Sequence, residues 1–293
     1  MALIDLLLEP LSYGFMRLAL ITSITVGVVA SVLSAIIVVR GWSLLGDAIS
    51  HAVLPGVAVA VALNIPFIVG GMAAGLTAAL LIGFVESRAR VRNDTAIGIV
   101  LTGAFALGLV IISRVRPTVD IFHILFGNVL GVSPQSMMVS AAIGAAVLIT
   151  LALFMKEVIA FTFDPVFSYV AGLPTTLIHY ALMAAMSLTI ISALETVGII
   201  LIVSLLVTPG ATAQLFARNM SEMIFLSTLV GVTSSIAGLY LSFYLAVSSG
   251  GTIALIVTLI FFTALTAKKL RKPNATAVKQ PPQRKLSPKP SST

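Results

Sequence analysis

Residues 16–39 read MRLALITSITVGVVASVLSAIIVV, and the one charged residue in this stretch, Arg17, lies in its first turn. A helix of about 20 apolar residues is long enough to cross the hydrocarbon core of a bilayer. The stretch therefore predicts a transmembrane helix, and further stretches of the same kind follow it along the chain.

The composition of the whole chain is that of a membrane protein. Of its 293 residues, 59% are hydrophobic and 9% are charged, and the mean hydropathy is +1.14. A soluble domain usually carries about 25% charged residues, so the surface of a soluble protein of this size could not be covered. An ordinary soluble enzyme, a disordered protein and a nucleic-acid binder are therefore excluded.

The formal net charge of +7 comes from the C-terminal residues. Segment 268–293 contains eight basic residues and no acidic one, whereas the remaining 267 residues contain nine basic and ten acidic residues. We therefore divide the chain into a short external or interfacial segment (1–15), a transmembrane domain (16–267) and a basic tail (268–293) that we expect to be disordered. We expect the tail in the cytoplasm, where anionic lipid headgroups attract it weakly. Its basic residues are Lys268, Lys269, Arg271, Lys272, Lys279, Arg284, Lys285 and Lys289.

Nine apolar stretches predict an all-α polytopic membrane protein with about nine spans, within a range of eight to ten. The stretch 176–210 is ambiguous, because it could form two short spans separated near Glu195 or one long tilted helix. The positive-inside rule favours two spans, with the N-terminus outside and the C-terminus in the cytoplasm. This topology places six of the nine basic residues that precede the tail in the cytoplasm, whereas one long helix would place four there. The predicted spans are 16–39, 43–64, 66–86, 95–113, 135–155, 176–194, 196–210, 222–247 and 250–267.

The second predicted span contains two ionisable side chains in the segment GDAISHAVLPG, residues 46–56. Asp47 and His51 are four positions apart, which places them on one face of a helix, about 40° apart around its axis. A carboxylate oxygen and an imidazole nitrogen that converge in this way suit a divalent transition metal. Pro55 is expected to kink the helix. The spacing also allows an alternative in which Asp47 caps the helix and His51 hydrogen-bonds a neighbouring helix.

Three further ionisable residues are secondary candidates for metal contacts. Glu195 lies between two apolar runs, and we expect it either at the external mouth of the pathway or in a solvated turn. Asp120 and His123 are three positions apart in segment 117–134, which we predict to be a half-helix or re-entrant piece at the outer face. They could attract a cation or contact a partner, and an ordinary interfacial pair is the alternative.

The chain contains no G-x-x-x-x-G-K-[ST] loop for binding ATP phosphates. ATP-driven transport would therefore need a separate ATPase, and we predict no catalytic residues and no enzyme. Segment 208–221 offers a contact for such a partner, because Pro209–Gly210 is expected to break the preceding helix before a short amphipathic surface helix. A plain interfacial loop is the alternative. The residues assigned to this coupling helix are Pro209, Gly210, Ala211, Thr212, Gln214, Leu215, Phe216, Arg218 and Asn219.

Five segments of the chain are distinctive, and they occur in the order GDAISHAVLPGVAVA (46–60), NDTAIGIVLTGAFALGL (93–109), DIFHILFGNVLGVS (120–133), ETVGIILIVSLLVTPGATAQL (195–215) and SSIAGLYLSFYLAVSSGGTIALI (234–256). In this order they resemble the membrane permeases of ABC-type metal-ion importers, the family that serves manganese, zinc and iron uptake in bacteria. The resemblance covers about residues 10–268, and SHAVLPG and FHILFGN are more similar to the manganese-type members.

The resemblance implies the all-helical fold of type II ABC importer permeases in the bacterial inner (plasma) membrane. It also implies a second copy of the chain, or a homologous permease, around a central pathway. Two cytosolic ATP-binding subunits would lie beneath this pair, and an extracellular or periplasmic metal-binding protein would deliver the ion.

The resemblance also assigns roles to individual positions. Asp47 and His51 match the acidic and histidine positions of the family's D-x-x-x-H segment, which are expected to line a metal site. Segment 208–221 matches the position of the coupling helix, and Glu195 matches a recurring polar position. No permanently bound cofactor is implied. The transported ion would be Mn²⁺, with iron or zinc as alternatives, because the ligand mixture also binds zinc.

Two other kinds of transporter remain as alternatives. A secondary, ion-coupled metal transporter would need a proton or sodium relay, for which the transmembrane domain offers few buried acids, and uptake that persists without an ATPase would favour it. A vitamin- or siderophore-type ABC permease shares the architecture, but the five segments fit it less well.

Overall fold

The structure is a computed structural model that describes residues 8–89, 91–114 and 129–271. Within these ranges the regular elements are helices and no strand occurs, which confirms the predicted all-α class. A single 3₁₀ turn, Val129–Gly131, packs on the first helix. The α-helices, numbered in chain order, are α1 (Gly14–Arg40), α2 (Leu45–Ala52), α3 (Leu54–Ala62), α4 (Phe67–Ala89), α5 (Asn93–Arg114), α6 (Pro134–Leu153), α7 (Met155–Phe163), α8 (Pro165–Val170), α9 (Thr175–Val197), α10 (Ile199–Gln214), α11 (Met220–Leu245) and α12 (Ser249–Arg271).

Eight helical stretches of the described residues are long and apolar enough to cross a membrane, with α2 and α3 counting together as one stretch. All eight lie where the sequence predicts a span. The ninth predicted span, 196–210, corresponds to α10, which is also apolar but has only 16 residues.

The ambiguous stretch 176–210 forms two helices, as the distribution of basic residues predicts. The break falls at Gly198, three residues after Glu195. Gly198 has φ 83° and ψ 169°, a backbone conformation that residues with a Cβ atom rarely adopt. A glycine at this position therefore ends α9 and lets α10 start in a new direction.

Helix α1 lies at the centre of the structure, with α10 and α11 packed along it. Small polar residues line these contacts. The Ser227 hydroxyl of α11 donates to the Ser31 carbonyl of α1 at 2.7 Å, and the amide of Gly210 donates to the Ser34 hydroxyl at 2.8 Å. Small residues let helix backbones approach closely in a membrane, where burying apolar surface drives association little.

The contact with α1 corrects the prediction that Pro209–Gly210 breaks the helix. Helix α10 continues through Pro209 to Gln214. Proline removes one intrahelical hydrogen bond, but here the next amide in the chain, that of Gly210, pairs with Ser34. The close approach of α1 also requires glycine, because a Cβ atom at position 210 would overlap the Ser34 backbone.

Because the helices alternate in direction, the bundle has two distinct ends. The end that we call the basic end contains the C-terminus of α1, the N-terminus of α2 and the connection formed by α7 and α8. The opposite end contains Glu195, Gly198 and the N-terminus of α6. Described basic residues at the basic end are Arg40, Arg88, Arg92, Lys156, Arg218, Lys268 and Lys269, whereas Arg17 and Arg114 lie toward the opposite end.

Candidate metal site

Asp47 and His51 both lie in the eight-residue helix α2. Asp47 is in its first turn and His51 in its last. The His51 Nε2 and Asp47 Oδ1 atoms are 3.5 Å apart, and the side chains are 36% and 46% exposed, respectively. The predicted i, i+4 pair is therefore formed, in a stretch of chain that is otherwise mostly buried.

Among the described residues, the structure shows neither hydrogen bond of the alternative interpretation of this pair. No side chain caps the N-terminus of α2, so Asp47 does not act as the helix cap. The neighbour of His51 on α5 is the ring of Phe105, whose centroid is 5.9 Å from the imidazole centroid at an interplanar angle of 89°. An aromatic ring that meets the imidazole edge to face restricts its orientation.

The helix is interrupted at Val53, two residues before Pro55. Val53 itself keeps helical dihedral angles, φ −70° and ψ −26°, so the chain bends without unwinding. Pro55 has no N–H to donate to the His51 carbonyl, and this carbonyl accepts instead from a backbone N–H at the end of α2. The nearby contact with α5 is close, because a Cβ atom added to Gly108 would lie 2.9 Å from the Leu54 Cβ.

The pair belongs to a partly exposed stripe, defined by Asp47, His51, Pro55 and Val59, that continues from α2 onto α3 at four-residue spacing. Beside its Pro55 and Val59 part, an apolar cavity of about 670 Å³ opens between α3, α4 and α5. Within the described parts of the chain, no group of three or more His, Cys, Asp or Glu side chains could hold a metal ion. One copy of the chain thus offers two ligands at this stripe.

Glu195 lies in the last turn of α9 rather than in a solvated turn. Its Oε1 accepts a hydrogen bond from the Ser136 hydroxyl at 2.7 Å, and Ser133 caps α6 by accepting from the Ser136 amide at 3.0 Å. Glu195 therefore joins the ends of α9 and α6, and it lines a small pocket together with Val53, the residue that follows α2. Asp120 and His123, the other secondary candidates, lie outside the described residues.

The predicted coupling segment is partly buried. Pro209, Gly210 and Thr212 are buried within α10, and Leu215–Asn219 form a turn that leads to α11. The described chain thus has no separate helix between Gln214 and Met220, which corrects the predicted surface helix. The exposed part of the segment is the end of α10 at Gln214 and the turn with Phe216, Arg218 and Asn219.

A different short helix is exposed at the basic end. Helix α8 begins at Asp164–Pro165, where the Asp164 carboxylate accepts from the Phe167 amide at 2.9 Å. Its apolar side chains are 65–79% exposed; these are Val166, Phe167, Tyr169 and Val170. No prediction from the sequence singles out this helix as a contact surface. The signal that could have found it is the Asp-Pro start followed by apolar residues and Gly172.

Comparisons with known proteins agree with this geometry. The manganese transport system membrane protein MntC of Listeria innocua is 48% identical over 260 residues, which cover 88% of this chain and 93% of that protein. The chelated iron transport system membrane protein YfeD of Yersinia pestis is 40% identical over 263 residues, with 90% and 89% covered. The structure of PsaBC from Streptococcus pneumoniae in complex with Fab matches with a TM-score of 0.78 and 39% identity, over 90% of this chain and 95% of that one.

The match to a family model is equally extensive. The model of the ABC 3 transport family covers residues 12–268, which include Asp47, His51 and nearly every residue of the twelve helices. Because the family model, the relatives and the fold coincide over the same residues, this chain belongs to the ABC 3 transport family.

Proposed function

We propose that this chain is the permease subunit of an ABC importer that carries Mn²⁺ into the cell, with Fe²⁺ as the second candidate cargo. The observation that carries the proposal is the Asp47–His51 pair inside a membrane helix. Ionisable side chains in such helices are rare and usually functional. The relatives named for manganese transport favour Mn²⁺, and YfeD, named for chelated iron transport, favours iron as the second candidate.

The geometry of the pair suits a transported ion. Two ligands that bind a small divalent ion at right angles are about 3 Å apart, given ligand distances of about 2.1 Å. The 3.5 Å between His51 Nε2 and Asp47 Oδ1 needs only a small change of side-chain angle. One carboxylate and one imidazole replace part of the hydration shell and still allow release. Because zinc binds such ligands more tightly than manganese, selectivity would depend on the protein that delivers the ion.

A second copy of the chain would complete the site. Two-fold pairing brings the same surface of each copy together, so the stripe from Asp47 to Val59 would meet its own counterpart. The pair of copies would then offer two carboxylates and two imidazoles around a central pathway. The partial exposure of both side chains supports this arrangement.

The charges orient the molecule. Seven of the nine basic residues in the two groups described above lie at the basic end, and the positive-inside rule places such an end in the cytoplasm. In a bacterium this membrane is the inner (plasma) membrane. We infer an external N-terminus, a cytoplasmic C-terminus and delivery of the ion at the Glu195 end by an extracellular or periplasmic binding protein.

Helix α8 is the surface that we assign to a cytosolic ATPase. It is at the basic end, and it exposes Phe167 and Tyr169, residue types that are enriched where proteins bind one another. The turn at Phe216 and Arg218 is a second possible contact. ATP-driven closure of two ATPase subunits would move α8 and open the pathway alternately to the two sides. The chain itself would then perform no enzymatic step.

Uptake of radiolabelled manganese by cells that depend on this chain tests the site. We expect Asp47→Asn and His51→Gln each to lower uptake by about 10- to 100-fold, the usual scale for disrupting a metal site. The matched control is Asp94→Asn, which changes an exposed carboxylate near the start of α5. Uptake at the wild-type rate in both site variants would refute the assignment. Deletion of the chain that abolishes zinc uptake and leaves manganese uptake intact would refute the choice of metal.

Binding of the ATPase to the permease tests the docking surface. We expect Phe167→Ala to weaken this binding by about 2 kcal/mol, as for a central aromatic contact. Phe225→Ala on α11 is the control, because Phe225 is similarly exposed but lies on a transmembrane helix. Titration of the purified ATPase onto the permease in nanodiscs gives the two dissociation constants. Equal constants for the two variants would rule out α8 as the main contact.

A further inference from the structure

Six side chains from separate segments meet at the basic end, and neither the proposed metal site nor the docking surface includes them. The centre of the group is the guanidinium of Arg40, whose Cζ is 4.8 Å from the Trp42 ring centroid and 4.6 Å from the Phe161 ring centroid. Both distances are within the range of cation–π attraction. We call the group the Arg40 cluster; its members are Arg40, Trp42, Glu86, Asn93, Phe161 and His179.

Hydrogen bonds within the cluster join the α1–α2 connection to α4 and α5. In the amide orientation that places donors opposite acceptors, the Asn93 nitrogen donates to Glu86 Oε1 at 2.9 Å, and the Asn93 oxygen accepts from Trp42 Nε1 at 3.2 Å. Trp42 is 0% exposed and is the single tryptophan of the chain. The His179 ring meets the Trp42 ring edge to face at 5.5 Å.

The cluster is nevertheless incompletely paired. Arg40 Nε, Glu86 Oε2 and His179 Nε2 are buried and have no hydrogen-bond partner among the described residues. Arg40 and Glu86 carry opposite charges but form no direct ion pair in this arrangement. A buried polar atom without a partner costs about 1–3 kcal/mol, and a direct Arg40–Glu86 ion pair would satisfy two of the three atoms. Such a pair would give the same side chains a second arrangement.

The cluster also connects the docking surface with the metal site. Phe161 lies on α7, two residues before Phe163 ends that helix and α8 follows. At the other side, the Leu45 amide that begins α2 donates to the Trp42 carbonyl at 2.9 Å. Asp47 is in the first turn of α2. A movement of Phe161 could thus be transmitted to Asp47 through two side chains, first Arg40 and then Trp42.

We propose that the Arg40 cluster couples the position of α7–α8 to the Asp47–His51 pair through two alternative partners of Arg40. In the arrangement seen here, Arg40 lies between the Trp42 and Phe161 rings. When α7 moves with a docked ATPase, Phe161 leaves Arg40, which pairs with Glu86 and releases Asn93. Trp42 then shifts and moves the first turn of α2 with Asp47. This inference rests on the proposed function, since it assumes an ATPase at α8 and an ion at Asp47. Glu86 and Arg40 are positioning residues in this scheme.

The importer reconstituted in proteoliposomes, with its ATPase and manganese-loaded binding protein, tests the coupling. Glu86→Gln keeps an acceptor for Asn93 but cannot form the ion pair. We expect it to lower the manganese accumulated per ATP hydrolysed by about tenfold, within the usual range of coupling between two sites, while ATP hydrolysis is retained. Phe161→Leu, which removes the ring but keeps apolar bulk, should act in the same direction. Arg88→Gln, an exposed charge half a turn further along α4, is the matched control and should leave the ratio unchanged.

The single tryptophan provides a second measurement. Trp42 can be replaced by 5-fluorotryptophan, and its ¹⁹F resonance in the assembled importer is identified by its loss in Trp42→Phe. We expect ATP with vanadate to shift this resonance in the wild-type importer and not in Glu86→Gln. A merely structural role predicts no shift with nucleotide in either protein.

The outcomes distinguish this inference from the proposed function. Three results would each overturn the coupling. The first is a wild-type ratio of manganese accumulated to ATP hydrolysed in Glu86→Gln, and the second is a parallel loss of hydrolysis and accumulation in that variant. The third is a Trp42 resonance that does not shift with nucleotide in the wild-type importer. None of these results would affect the Asp47→Asn experiment. Wild-type uptake in Asp47→Asn would refute the metal site, and the response of the Trp42 resonance to nucleotide would still report on the cluster.

Discussion

Pro55 and Pro209 each lie in an apolar helical stretch of the described residues, but the helix is interrupted near the first and continuous through the second. The stretch from Leu45 to Ala62 is interrupted at Val53, just before Pro55. By contrast, α10 is continuous through Pro209. The two regions also differ in exposure, because the stripe that includes Pro55 is partly exposed, whereas Pro209 is buried against α1.

The difference lies in what packs against each proline. At Pro209, the Ser34 hydroxyl of α1 accepts a hydrogen bond from the Gly210 amide. The same chain therefore supplies a partner for a backbone group next to the proline. At Pro55, α5 covers one side through Gly108, and the stripe with Asp47 and Val59 stays partly uncovered. The contact at Pro209 is thus complete within one chain, whereas the stripe at Pro55 is partly exposed and is the surface that we propose to pair with a second copy.

The largest effect is expected from a substitution that adds side-chain atoms to the buried contact between α10 and α1. We expect Gly210→Val to destabilise the protein by about 3 kcal/mol or more, the upper end of the range for overpacking, because its Cβ would overlap the Ser34 backbone. The measurement is the amount of monodisperse protein extracted from membranes, together with its thermal unfolding midpoint in detergent.

Gly98→Ala is the control for this substitution. A Cβ atom added to Gly98 has no heavy atom within 4 Å, so alanine there should leave the unfolding midpoint unchanged or raise it slightly. If Gly210→Val yields as much stable protein as Gly98→Ala, then α1 does not hold α10 in the way described.

A smaller effect is expected from removing the hydroxyl that serves α10. Ser34→Ala leaves the Gly210 amide buried without its partner, which costs about 1–3 kcal/mol. Ser204→Ala is the matched control. Among the described residues, the Ser204 hydroxyl bonds to the Ile200 carbonyl of its own helix and to no other helix, so its loss should cost less than about 0.5 kcal/mol. Equal unfolding midpoints for the two variants would show that Ser34 does not compensate Pro209.

The same contrast explains which features the sequence could predict. Hydropathy located the spans, because burial in lipid depends on the composition of a local stretch. The i, i+4 spacing placed Asp47 and His51 together, since both lie on one short helix. The continuity of α10 at Pro209 was missed, because it depends on Ser34, which is far away in sequence. The hydrogen bonds of the Asn93 side chain were missed for the same reason, because its partners, Glu86 and Trp42, lie in two other segments of the chain.

The smallest perturbation tests whether a second copy covers the stripe. Val59 is 41% exposed on α3, two helical turns from His51 on the same face. Because the chain has no native cysteine, Val59→Cys introduces a single thiol with little change in volume, and we expect stability and manganese uptake near those of the wild type. If two copies meet at the stripe, a short bis-maleimide, which adds one thiol at each end, should join them into a covalent dimer when it is added to intact membranes.

Ile149→Cys on α6 is the control for crosslinking at position 59. Ile149 is 60% exposed, more than Val59, so reactivity alone favours crosslinking at position 149. Pairing at the stripe predicts the opposite order, because two-fold symmetry brings each Val59 toward its own counterpart. Dimers at Val59→Cys and monomers at Ile149→Cys would therefore support a metal site built from two chains. The reverse order would place the interface elsewhere and leave Asp47 and His51 as the only two ligands that the described residues offer at the stripe.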